Sequence, residues 1–371
     1  FSNLISGDYT GPVFPVNPKA EVVRSVKAYP SVLDVPDRVD LAFIVVPAPF
    51  VNEVARQCVE KGVRGLVVIS AGFSETGTAG AELEDELMKT VRDAGMRMVG
   101  PNCMGLINMD TAISMNGQFG PLSPPPGNVA MSSQSGALGV AILDYATELN
   151  IGISTFISIG NQPDVSGDDL LLYWESDPGT DVILLYMESF GSPRRFARAA
   201  RRIAKKKPIV AVKSGRTAAG ARAASSHTGS LASLDVAVET LFRQAGVIRT
   251  DTLTEMFDVA AFVANQPLPQ GRRIGIVTNA GGPGILAVDA LESNGLEVVE
   301  FSEELKKDLQ GYLAADASVT NPVDMIASAG PQEYAACIDT LMRSAEIDAL
   351  MTIFIPAAPE GAEEMAATIR D

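Results

Sequence analysis

The sequence predicts an α/β protein built of three successive doubly wound units with mainly parallel sheets. Three observations predict it. Short, near-continuous apolar runs rich in β-branched residues recur along the chain; the longer segments between them carry apolar residues three or four apart; and two proline-rich stretches are each followed at once by another such run. A strand buried on both faces reads as a continuous apolar run, and amphipathic helices between such strands are the crossovers of βαβ units.

In chain order the strand runs are Leu41-Ala-Phe-Ile-Val-Val46, Gly65-Leu-Val-Val-Ile69, Val182-Ile-Leu-Leu-Tyr186, Pro208-Ile-Val-Ala-Val212, Ile274-Gly-Ile-Val-Thr278 and Ala349-Leu-Met-Thr-Ile-Phe354. Helical spacing marks Val51–Lys61, Ala81–Ala94 and Pro193–Lys206. The proline-rich stretches Gly120-Pro-Leu-Ser-Pro-Pro-Pro-Gly127 and Gln266-Pro-Leu-Pro-Gln-Gly271 read as linkers. They place boundaries near 125 and 269, giving units 1–125, 126–268 and 269–371. The third unit stops in mid-pattern and the chain starts at Phe1, so the natural protein is expected to be longer.

The second and third units look duplicated. With Ser133-Gln-Ser-Gly-Ala-Leu-Gly139 set over Thr278-Asn-Ala-Gly-Gly-Pro-Gly284, Gly136 meets Gly281, Gly139 meets Gly284 and Asp144 meets Asp289. Each copy is strand, small-residue turn, helix. Asp164 and Asp324 are expected in matching places further on.

Composition narrows the function. The 371 residues hold 29 Lys and Arg against 45 Asp and Glu, a formal charge of −16, which argues against nucleic acid or an anionic membrane as partner. Three scattered cysteines fit a reducing cytoplasm, and one histidine, His227, is too few for a zinc enzyme. No apolar run is long enough to span a membrane and no leader pattern is present, so a cytoplasmic location is expected.

Candidate chemistry lies in the turns. A small-residue turn between strand and helix leaves backbone N–H groups free at the positive end of the helix dipole, which holds phosphate without Lys or Arg. Ser135, Gly136 and Ala137 form one such turn and add a hydroxyl; Asn279, Ala280, Gly281, Gly282 and Gly284 form the other and add a side-chain amide. The alternative is that small residues simply allow tight helix–sheet packing. Gly282-Pro-Gly284-Ile-Leu-Ala287 with Glu300 also matches a dinucleotide fingerprint, so an NAD-dependent oxidoreductase is a competing reading, weakened by Pro283.

His227 lies in a loop rich in Ser, Thr and Gly, Ala224-Ser-Ser-His-Thr-Gly-Ser-Leu-Ala232, a poor place for a core histidine. A neutral imidazole whose other nitrogen is held by a carboxylate attacks phosphorus. Glu188, at the carboxyl end of the strand Val182–Met187, is the candidate carboxylate; the alternative is a solvated strand end. A GxSxG elbow is absent, which argues against a serine hydrolase, and Cys103 among apolar neighbours reads as a quiet thiol.

Taken together, the motifs resemble the ADP-forming (NDP-forming) acyl-CoA synthetases, the acetate–CoA ligase family related to succinyl-CoA synthetase. The resemblance rests on Val13-Phe-Pro-Val-Asn-Pro-Lys19, Val45-Val-Pro-Ala-Pro-Phe50, Ile69-Ser-Ala-Gly-Phe73, Gly100-Pro-Asn-Cys-Met-Gly-Leu-Ile107, Ser133-Gln-Ser-Gly-Ala-Leu138, Ser226-His-Thr-Gly-Ser-Leu-Ala232, Asn279-Ala-Gly-Gly-Pro-Gly284 and Asn321-Pro-Val-Asp324, in the family's order.

The resemblance implies a Rossmann-like coenzyme A domain over 1–125, a succinyl-CoA ligase-like, flavodoxin-like domain with the phosphohistidine loop over 126–268, and a second ligase-CoA-like domain, incomplete, over 269–371. It implies that Asn17, Pro18, Lys19, Pro47, Ala48, Pro49, Ser70, Ala71, Gly72, Asn102 and Cys103 surround CoA. His227 would be the phosphorylated histidine and Glu188 its partner, with the two small-residue turns holding inorganic phosphate. The implied substrates are an acyl-CoA and phosphate; ADP or ATP with Mg would sit on an ATP-grasp domain or subunit, and the enzyme is expected to be an oligomer. The family's first Gly-rich CoA loop and the ATP-grasp domain are missing from this sequence, and Glu188-Ser189 stands where relatives often have Glu-Gly. The alternative within the family is a CoA-binding regulatory module of a protein lysine acetyltransferase.

Overall fold

A computed structural model of the chain describes residues 1–217, 219–220, 235–356 and 361–370, and in it each apolar run named above is a strand and each amphipathic segment a helix. Those residues divide into two units, Phe1–Gln266 and Pro267–Asp371.

The first unit opens with a short helix, α1 (Ser2–Ser6), and a hairpin of β1 (Val22–Val23) and β2 (Val26–Lys27). Then β3 (Leu41–Ile44), β4 (Gly65–Val68) and β5 (Arg97–Val99) make a parallel sheet in that order, joined by α2 (Ala48–Lys61) and α3 (Thr78–Asp93). Val51, Ala55 and Cys58 of α2 and Leu87, Met88 and Val91 of α3 bury their apolar stripe on Ile44, Leu66, Val68 and Met98. Pro49 starts α2 without loss, because the first-turn N–H groups have no helical partner, and Gly62 (φ +79°) ends it in the left-handed conformation.

A second sheet of seven strands follows: β6 (Gly105–Asn108), β7 (Met115–Gln118), β8 (Pro126–Ser133), β9 (Ile153–Ser158), β10 (Val182–Met187), β11 (Ile209–Lys213) and β12 (Ile248–Thr250). Its order is β12-β11-β10-β8-β9-β6-β7. Strands β8 to β12 are parallel, while β6 runs antiparallel to β7 and β9. The proline-rich stretch read as a linker therefore connects two strands of one sheet, and residues on both sides of the expected boundary near 125 share it.

Alternation along these strands sorts side chains to two faces. Ala130, Ile183, Leu185, Ile209 and Ala211 pack under α5 (Gly167–Ser176), α6 (Pro193–Ile203) and α7 (Asp235–Ala245), around Trp174, Phe196 and Phe242. Val129, Met131, Val182, Leu184 and Val210 pack under α4 (Gly136–Glu148) and α8 (Leu253–Asn265), with Leu143 and Phe257. Strands covered on both faces are why the sequence shows unbroken apolar runs here.

In the second unit β13 (Arg273–Thr278) pairs in parallel with β14 (Glu297–Val298), β15 (Val323–Asp324) and β16 (Ala349–Ile353). Helices α9 (Gly281–Ser293), α10 (Glu303–Gln310), α11 (Pro331–Arg343) and α12 (Ala362–Arg370) complete it. Among the described residues no helix is long and apolar enough to cross a membrane.

Candidate active site

The carboxyl edge of the seven-stranded sheet carries the first small-residue turn and Glu188. At the end of β8 the Ser133 hydroxyl donates to the Ser135 carbonyl (2.8 Å) and accepts from its N–H (3.2 Å), folding the chain into a tight turn. Ser135 caps α4 by accepting the Leu138 N–H at 3.3 Å. The next two N–H groups, of Gly136 and Ala137, have no hydrogen bond among the described residues. They point out of the positive end of a 13-residue helix.

Parallel pairing of β8 with β10 sets Ser133 opposite Tyr186, so Glu188 emerges beside this turn. Its backbone is held: the Gln134 side-chain carbonyl accepts from the N–H of Glu188 (2.6 Å) and of Ser189 (2.8 Å), and its amide donates to the Ser189 carbonyl (2.8 Å). On the next strand Lys213 pairs with Met187 and is only 6% exposed. Its ammonium donates to the Ser214 carbonyl at 2.5 Å. Burial pushes its pKa down, against the pull of Asp235 and Glu188. Gln134 and Lys213 were not singled out as site residues, although a lysine closing a wholly apolar strand was a readable signal. His227 lies outside the described residues.

The turn of the second unit repeats the first. Thr278, in the place of Ser133, donates to the Ala280 carbonyl (2.9 Å) and accepts from its N–H (3.0 Å), and Ala280 takes the cap position of Ser135. Gly281 and Gly282 present the matching N–H groups. Gly282, Pro283 and Gly284 all lie inside α9, so the NAD-like pattern falls within a helix and not on the strand-to-helix turn where such a fingerprint works. A side chain on Gly281 would approach Asp324 Oδ2 at 2.9 Å, so a carboxylate stands against this helix end.

The Asn279 amide is buried and bonded at both ends to Ile355 (2.9 Å each). One expectation is corrected. Asp164 is not the counterpart of Asp324: strand register pairs Thr278 with Asp324 and Ser133 with Ser158. Asp164 instead accepts from the Met98 N–H at 2.7 Å and pairs with Arg97.

The three-stranded sheet brings most of the expected CoA residues to one edge. Pro47, Ala48 and Pro49 follow β3, Ser70, Ala71 and Gly72 follow β4, and Asn102 and Cys103 follow β5. Ser70 donates to the Val46 carbonyl at 2.5 Å, tying the first two loops. Gly72 (φ +109°) and Asn102 (φ +57°) hold left-handed turns. Cys103 is buried, which pushes its thiol up to about 12 and disfavours the thiolate. Asn17, Pro18 and Lys19 lie on a separate exposed loop, where Asn17 Oδ1 accepts the Lys19 N–H at 2.8 Å.

Behind that edge stand two residues that sequence reasoning missed. Glu75 Oε1 accepts from the N–H of Gly72 (2.6 Å) and Phe73 (3.2 Å), and its Oε2 accepts from Asn161 Nδ2 (2.6 Å). Asn161, beyond β9, also donates to Ser74 and Glu84 and accepts from Asn102 at 3.2 Å. The loops of the small sheet are thus fastened to a residue of the large one.

Comparison with known proteins gives the following. A family model described as a CoA binding domain matches residues 1–109, one described as a succinyl-CoA ligase like flavodoxin domain matches 126–263, and one described as a Ligase-CoA domain matches 274–358. The alpha subunit of acetate–CoA ligase [ADP-forming] II of Pyrococcus furiosus is 44% identical over 93% of this chain and 75% of its own length. The alpha subunit of isoenzyme I from the same organism is 41% identical over 98% and 79%. The acetate–CoA ligase [ADP-forming] of Methanocaldococcus jannaschii is 44% identical over 88% of this chain but only 46% of its own length. Among solved structures, an acetyl-coenzyme A synthetase of Candidatus Korarchaeum cryptofilum in complex with phosphate and ADP superposes with a TM-score of 0.93 at 37% identity, covering 99% of this chain and 80% of that one.

Proposed function

The chain belongs to the ADP-forming acid–CoA ligases, and on that premise we propose that it is the CoA-binding and phosphohistidine part of an acetate–CoA ligase-like enzyme. The reaction interconverts acyl-CoA, phosphate and ADP with acid, CoA and ATP. The observation that carries the proposal is the adjacency, on one sheet edge, of two free N–H groups at the start of α4 and the backbone-clamped Glu188. The relatives are ligases, which leaves the acetyltransferase-module and nicotinamide readings without support.

CoA would lie on the carboxyl edge of the small sheet, over Pro47–Pro49, Ser70–Gly72 and Asn102. The left-handed turns there let a ligand approach backbone closely. Phosphate attacks the thioester carbonyl; the C–S bond breaks, giving an acyl phosphate and free CoA. The phosphoryl group then passes to His227 and the carboxylate leaves. Gly136 and Ala137 N–H, at a fixed helix end, stabilise the charge on the phosphoryl oxygens, as a transfer of this kind requires positioning and electrostatics more than covalent help. Glu188 accepts the imidazole's other N–H, keeping the attacking nitrogen unprotonated and then balancing the charge of the phosphoimidazole. Within the second unit, the turn Ala280 to Gly284 is a separate candidate phosphate-binding helix end. ADP, with magnesium, belongs to an ATP-grasp partner, to which phospho-His227 delivers the group.

The test is reconstitution with that partner. Acetyl-CoA, phosphate and ADP together should yield ATP and free thiol in equal amounts, and Glu188→Ala should lower the rate at least about 100-fold. ATP formation by Glu188→Ala at the native rate would refute the assignment of Glu188.

A further inference from the structure

The two turns share a device. In each, the residue after the strand that leads into the turn, β8 or β13, is an amide, Gln134 or Asn279, and each amide grips the backbone just beyond the neighbouring parallel strand. Strand register fixes the equivalence: Ser133 pairs with Tyr186 and Thr278 with Ile353, so Glu188 and Ile355 occupy the same position. Asn279 binds both the N–H and the carbonyl of Ile355 at 2.9 Å. Gln134, one methylene longer, takes two successive N–H groups, those of Glu188 and Ser189, and donates to the Ser189 carbonyl.

The clamp is thus common to both units, but only the first has a carboxylate at the position it fixes. The longer side chain there brackets the peptide on the carboxyl side of that carboxylate's residue. We propose that Gln134 is a positioning residue that sets the Glu188 carboxylate against the phosphate turn. The proposal rests on the role given to Glu188 above. It follows from chain connectivity: Gln134 lies between Ser133 and Ser135, so it moves with the turn that holds phosphate, and its three hydrogen bonds transfer that position to Glu188. Ser189 loses freedom in the same way, and its hydroxyl accepts from Gln162 at 3.5 Å.

The experiment is a double-mutant cycle in the complete enzyme, chain plus ATP-grasp partner, with acetyl-CoA, phosphate and ADP. Gln134→Met removes every hydrogen bond of the clamp at nearly constant volume. It should lower kcat about 30- to 100-fold, in line with a displacement near 1 Å of a catalytic group, and leave KM for acetyl-CoA within about twofold. Gln134→Asn, which rebuilds the clamp in the form the second unit uses, should recover to within about fivefold of the native rate. Because Gln134 acts through Glu188, adding Gln134→Met to Glu188→Gln should cost nothing further. Additive losses, equal damage by Met and Asn, or a native rate for Gln134→Met would each overturn the proposal. If Glu188→Gln itself runs at the native rate, it is the role of Glu188 that falls.

Discussion

Replacing Glu75 by Gln removes one oxygen from a carboxylate that serves two places at once. Oε1 holds the Gly72 and Phe73 N–H groups, and Oε2 holds Asn161 Nδ2. The variant keeps a single acceptor, so either the loop or Asn161 is left facing an NH2 group, donor against donor. A hydrogen bond to a charged group contributes about 1.5–3 kcal/mol, and Glu75 is half-buried, so the lower end applies. With a displaced donor adding about 1 kcal/mol, the change loosens the loop by about 2–3 kcal/mol. If that loop lines the CoA site, affinity falls about 30- to 150-fold. Calorimetric titration with CoA measures this directly.

The pH dependence is a second check. Burial raises the Glu75 pKa, but the hydrogen bonds from Asn161, Gly72 and Phe73 outweigh it and hold the carboxyl below its ordinary value. Its contribution is therefore complete above the unfolded pKa of about 4.3 and is lost as pH falls through the lower folded value. The stability gap between the native protein and the Glu75→Gln variant should close over that acid range and stay constant from about pH 6 to 8. Unchanged CoA affinity together with a gap that persists in acid would show that the Glu75 carboxylate does not hold this loop.

Other outcomes follow from the same structure. Lys213→Met should stabilise the first unit below the ordinary lysine pKa, since the buried ammonium has a lowered pKa and its burial cost fades only as pH rises toward that value; denaturant titration at about pH 7 and pH 10 measures the difference. In the second unit Asp348 accepts from the Arg273 N–H, Nε and Nη2, which holds its carboxyl down at about 2. Asp348→Asn should lower Tm at neutral pH, and the deficit should vanish as pH falls from about 4 toward 2.

The α/β class, the strand runs and both small-residue turns were legible because doubly covered parallel strands leave an unbroken apolar trace and turns need small residues. Four features were not. The sharing of one sheet across residue 125 is hidden because β6 and β7 are short and half-polar, with Asn116 and Gln118 buried inside the sheet. The bonds of Asn279 to Ile355 are hidden because a sequence shows that an amide is present, not where its bonds go. Glu75 and Asn161 escaped notice because their meaning comes from a contact 86 residues apart. Gln134 stood inside a quoted motif, yet only strand register reveals that it reaches Glu188.

The proposed phosphoryl carrier is the one histidine of the sequence, His227. The direct measurement is peptide mapping by mass spectrometry, under alkaline conditions that preserve phosphohistidine, after the complete enzyme has met acetyl-CoA and phosphate without ADP. One phosphoryl group on the peptide containing His227, absent from Glu188→Ala and removed by adding ADP, is the predicted result. A native enzyme that makes ATP while His227 never carries phosphate would contradict it.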